Sequence, residues 1–168
     1  MALLMYAACD GGGLNTLAGG GGILEVDLSS ARSMRYFEFP EGMGGSTHML
    51  RATPDLRALV ATSANVGQIL VMPRKGDRYD LSAFRRIATF NSLGPPALGT
   101  DAQTAMFDFL DNEHIVCQYN RKLVSVNLDS GAMNVLVDIA AQFPERANFL
   151  HQISVTERWI VADEVVNG

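Results

Sequence analysis

The chain has 168 residues, 48% of them apolar and 18% charged, with 13 Lys+Arg against 18 Asp+Glu for a net charge of −5. That composition belongs to a globular domain rather than a disordered tail, and the longest apolar run, 1–9, falls far short of the roughly 20 residues that span a bilayer. The basic residues cluster no further than the pairs Arg74-Lys75, Arg85-Arg86 and Arg121-Lys122, which argues against a nucleic-acid partner.

From the N-terminus onward, short apolar runs recur and each is closed by a turn signal. The first, 3–9, stops at Asp10 and a glycine cluster; no Lys or Arg precedes Arg32, so no signal peptide is expected. The clusters 11–13 and 19–22 hold seven of the 16 glycines but lead into no helix, so they read as a hairpin loop rather than a phosphate cradle. The runs 23–28 and 35–39 alternate apolar and polar residues, the mark of half-buried strands. Further strands are expected at 58–62, 68–72, 86–90, 115–119, 123–128, 133–139 and 159–163, with Gly94-Pro95-Pro96 as a connecting loop. Only 139–143 has the makings of a helical turn. The chain reads as all-β. Cys9 and Cys117 lack zinc-type spacing and sit in apolar runs, which points to buried thiols in a reducing, cytoplasmic compartment.

Three segments repeat one pattern: a short strand, a polar turn, then a β-rich strand. They begin at His48, Met106 and His151. Two more strands follow each of the first two copies, giving four antiparallel strands per unit and a period near fifty residues, the dimensions of a β-propeller blade. The expected division is a partial blade at 1–40 supplying the last three strands of one unit, whole blades at 46–91 and 104–139, and a partial blade at 149–168. Two whole and two partial blades do not close a ring of the usual four to eight, so a segment of a longer propeller is expected.

In a propeller the first strand of each blade runs beside the axis. His48 and His151 hold the same place in two copies, where neutral imidazoles converging on the axis would offer lone pairs to a metal at about 2 Å. The plainer alternative is two histidines that hydrogen-bond loop carbonyls. His114 falls in the polar turn Asp111-Asn112-Glu113-His114 and reads as a surface residue.

The third copy, His151-Gln152-Ile153-Ser154-Val155-Thr156-Glu157-Arg158-Trp159-Ile160-Val161-Ala162-Asp163-Glu164, resembles the strand-turn-strand motif of the carotenoid cleavage oxygenases, in which a His opens the inner strand. Gly45-Ser46-Thr47-His48 is similar to that family's earlier ligand motif, and Met5-Tyr6-Ala7-Ala8-Cys9-Asp10 to the approach to it. The resemblance implies a seven-bladed propeller holding one ferrous ion, Fe(2+), with four histidines, two of them His48 and His151. It implies Asp10 as the carboxylate that orients an imidazole, and an apolar polyene and dioxygen as reactants. Peripheral membrane contact is then a route for substrate uptake. Met49 stands where the family has proline, and Met106 where the middle copy would want a histidine. Two imidazoles of four do not make a competent site, so these residues alone are expected to bind iron poorly and to leave polyenes uncleaved.

Two other readings compete with this one. A non-catalytic propeller segment would serve as a protein-interaction platform with both histidines structural. A lactonase-like propeller would want axial carboxylates and an asparagine, for which Asp55, Asp108 and Asn65 are the nearest residues.

Overall fold

The computed structural model describes residues 3–9, 21–30, 33–40, 47–63, 67–93, 106–119, 121–144 and 149–165. These form four antiparallel sheets laid out in chain order. β1 (Leu4–Cys9), β2 (Gly22–Asp27) and β3 (Ser33–Glu38) make the first, a three-stranded meander. The second runs β4 (Thr47–Ala52), β5 (Ala58–Ser63) and β6 (Gln68–Lys75). Its fourth position is shared by β7 (Arg78–Tyr79), which pairs the far end of β6, and β8 (Arg85–Thr89), which pairs the near end. The third sheet is β9 (Phe107–Phe109), β10 (His114–Tyr119), β11 (Lys122–Asn127) and β12 (Met133–Asp138). A single turn of helix, α1 (Ile139–Gln142), follows, and β13 (Phe149–Val155) pairs β14 (Ile160–Val165). β1 lies alongside β4, and β9 alongside β13.

The hydrophobic pattern explains this layering. Successive side chains of a strand point to opposite faces, and β5 and β6 are apolar on both. Ala58, Val60, Ile69 and Val71 enter one core with Phe107, Ile115, Cys117, Tyr119, Val124 and Val126 of the third sheet. The intervening Leu59, Ala61, Leu70 and Met72 enter a second core with Ile23 and Phe39 of the first. The middle sheet is therefore buried on both sides, which is why its strands read as continuous apolar runs rather than alternations. Phe90 stacks on Tyr119 across the first core with centroids 4.9 Å apart. Each such side chain, fully withdrawn from water, contributes about 1.5–3 kcal/mol.

Polar staples cross the second core at its rim. Glu25 is 4% exposed, accepts a hydrogen bond from the Tyr6 hydroxyl at 2.9 Å, and lies 3.6 and 3.5 Å from the guanidinium groups of Arg35 and Arg78. The Tyr6 hydroxyl accepts from the Tyr79 backbone N–H at 3.1 Å, tying β1 to β7. Burial of this phenol pushes its pKa up to about 12.

The turn after each first strand has its own chemistry. Thr53 donates its backbone N–H to the Ala58 carbonyl at 2.9 Å, and its hydroxyl both accepts from the Ala58 N–H and donates to Asp55. That hydroxyl bond, joined by the Arg57 N–H and its positive charge, holds the Asp55 carboxyl below the usual range. Leu56, 51% exposed, adopts a φ of +61° in this turn, a conformation that crowds any Cβ. Leu56→Gly is expected to raise stability by about 0.5–1 kcal/mol, the relief of the left-handed strain less the extra freedom of glycine when unfolded. A urea midpoint that stays put or falls would refute it.

Candidate functional site

Expectation centred on the first strands β4, β9 and β13, and the backbone at the two histidines is alike. On β4, Thr47 faces Ser63 while Met49 faces Thr62, so His48 is an extra residue against β5. On β13, Leu150 faces Glu164 while Ile153 faces Ala162, so His151 and Gln152 together face one residue of β14. Each histidine thus sits at a β-bulge, a device that re-aims a side chain and is frequent beside active sites. Each also lies five residues before the threonine that opens the turn, Thr53 or Thr156. Thr156 repeats the role of Thr53, donating its N–H to the Trp159 carbonyl at 2.8 Å and accepting from the Trp159 N–H at 3.1 Å. The matching turn in the third sheet opens at Leu110, whose N–H donates to the His114 carbonyl at 2.8 Å. Counting back five residues from Leu110 reaches Ala105, which lies outside the described residues and precedes Met106.

Of His48 and His151 only the backbone is described, and Asp10 lies outside the described residues. Beside His48, the Thr47 hydroxyl is buried with no hydrogen-bond partner among the described residues. Among those residues no group of three or more His, Cys, Asp or Glu is placed to hold a metal ion, and no helix is long and apolar enough to cross a membrane.

One residue joins all three first strands. Asp108, on β9, accepts from the Arg51 guanidinium of β4 at 2.6 Å and from the Val155 backbone N–H of β13 at 2.8 Å. Its Oδ1 also accepts from the Phe109 N–H at 2.9 Å, and Arg51 lies over the Phe109 ring 5.7 Å from its centroid. Arg51 follows His48 by three residues and Val155 follows His151 by four, so Asp108 sets the spacing between the two histidine-bearing strands. Sequence reading missed this role, because its partners lie 57 and 47 positions away and share no local pattern with it.

Of the remaining candidates, those that are described make local contacts. His114 is bound through Nδ1 to Asp111 at 3.0 Å and through Nε2 to Asn127 at 3.1 Å, closing the β9–β10 turn. Asp55 serves its own turn, and Asn65 lies outside the described residues. Cys117 is fully buried, and burial pushes its thiol pKa far up, so it is inert as a nucleophile. The side chain of Cys9 is not among those described.

No protein-family model matches the sequence, and neither does any curated protein. The solved structures it resembles include the crystal structure of the N-terminal domain of Nup159, a β-propeller, at a TM-score of 0.50 and 14% identity over 96% of this chain. The chain folds as blades of a β-propeller. It spans 40% of the length of that domain, and at such identity the likeness speaks for architecture alone. In propeller terms the second and third sheets are four-stranded blades, with the outer strand of the second broken into β7 and β8.

Proposed function

We propose that the chain is a segment of a propeller enzyme that holds a divalent iron between histidines of its first strands, for dioxygen-dependent cleavage of a conjugated double bond in an apolar polyene. The observation that carries this reading is the shared bulge: His48 and His151 each lie at a β-bulge of a first strand, five residues before a threonine that opens the following turn. The Thr47 hydroxyl, buried and without a hydrogen-bond partner among the described residues, belongs to the residue before one of them. The chain offers two of the four imidazoles that the resemblance implies, so its donor set is partial. Ferrous iron, when bound, supplies open coordination positions for dioxygen. The chain's own part is to present His48 and His151 and, through Asp108, to keep β4 and β13 at a fixed separation.

Equilibrium dialysis of the 168-residue chain against ferrous iron without oxygen tests this. Weak binding is expected, and His48→Ala and His151→Ala are each expected to remove most of it, with the double variant no worse than either single one. That pattern marks one ion held by both residues. Binding insensitive to both substitutions sinks the metal reading and leaves the interaction platform. The platform has an observation of its own, because Trp159 and Val161 near β14 are 71% and 57% exposed.

A further inference from the structure

Both outer faces of the run of sheets carry exposed apolar side chains. Across the first sheet, register sets Met5 beside Val26 and Met34, and Ala7 beside Leu24 and Tyr36, all on one face. The opposite face, with Ile23 and Phe37, packs into the second core. Of the outer set, Met5, Met34 and Tyr36 are exposed. On the β13–β14 sheet, Ile153 is buried and pairs Ala162, whereas Ser154 and Val161 point to the other side. Val161 is exposed there, and so is Trp159 two residues before it. These two faces would meet if the four sheets closed on themselves, so the run is an open arc. The chain presents 9190 Å² of accessible surface, where a globular monomer of 18.2 kDa presents about 8,100 Å². The surplus of about 1,000 Å² is on the scale of what one partner buries in a stable interface.

We propose that two copies of this chain close head to tail into a single ring, the outer face of the first sheet of each copy seated on the outer face of the β13–β14 sheet of the other. The sheets follow one another in chain order, with the first strands β1, β4, β9 and β13 side by side and Arg51 and Asp108 joining the middle pair. Four sheets from each copy make eight, the upper end of the range over which propellers close, and a third copy would overshoot it. The contact is heterologous, and a half-turn closes it at two copies. Within such a ring the second and fourth first strands of each copy, β4 and β13, carry His48 and His151. Histidine-bearing strands then recur at every second position, a quarter-turn apart. The four histidines that the iron reading requires come from two chains; that consequence rests on the iron reading, whereas the ring does not.

Sedimentation equilibrium of the metal-free chain across micromolar concentrations tests the ring. A monomer–dimer equilibrium with no larger species is expected. Met5→Asp and Val161→Asp each put a charge into both contacts and should weaken the dimer about a hundredfold; circular dichroism checks that both variants stay folded. An equal mixture of the two leaves one contact untouched and should recover part of the dimer. A wild-type chain that stays monomeric overturns the proposal, as do species larger than the dimer. So does a dimer that only one of the variants disrupts, which marks a contact through a single face. Ferrous iron added without oxygen then separates the two readings. Uptake, weak for a dilute chain, should tighten in step with the dimer and level at one ion per two chains. A dimer that takes up no iron supports the ring and refutes the iron reading alone. One ion per chain in the absence of a dimer overturns the ring and leaves the iron reading standing.

Discussion

Gly131→Ala is expected to destabilise the chain by about 3 kcal/mol, a large part of the 5–15 kcal/mol that holds a typical domain together. Gly131 closes the β11–β12 turn with a φ of +72°, donating its N–H to the Asn127 carbonyl at 2.9 Å. A Cβ there would fall on the carbonyl oxygen of Ile87, in β8 of the neighbouring blade. Two costs therefore add: about 1–2 kcal/mol for the left-handed conformation, and about 1–3 kcal/mol for forcing two backbones apart. Gly76 supplies the control. Its φ is +66°, yet nothing lies within 4 Å of the Cβ position, so Gly76→Ala should show only the conformational cost. Urea denaturation of the two variants separates the contributions. Equal losses would mean that the close approach of the blades carries no weight.

Asp108→Ala is expected to cost about 2–4 kcal/mol. The carboxylate is 13% exposed and accepts three hydrogen bonds; removing it strands the Val155 and Phe109 N–H groups and leaves Arg51 without its anion. Arg51 is 43% exposed, so its guanidinium can turn to water, and Arg51→Ala should cost only about 1 kcal/mol. The larger share of the loss then belongs to the backbone bonds of β9 and β13. A double-mutant cycle read by urea denaturation checks this: the double variant should resemble Asp108→Ala. If Arg51→Ala alone matched the full loss, the ion pair rather than the backbone anchor would be the link.

What sequence could and could not convey follows from the range of each interaction. Strands such as β2, with its alternation, and β6, with its unbroken apolar run, are set by period-2 burial and were readable from neighbouring residues. The two-residue β7 was not, because its pairing is dictated by the outer end of β6 rather than by its own composition. Strand counting put the last three strands of a blade at 1–40. The position of β1 alongside β4 comes from packing between sheets, which no local pattern encodes. The equivalence of His48 and His151 was legible as a repeat, whereas their bulges depend on register with β5 and β14 and became visible only with the partners in place.

The two cores lie between sheets rather than within any one of them, and the middle sheet feeds both through alternate residues of the same strands. Such a molecule is enlarged by accretion. Every sheet laid on an outer face turns that face into interior, so in an open run of sheets the energetic burden falls on the two terminal faces, and only closure into a ring removes it.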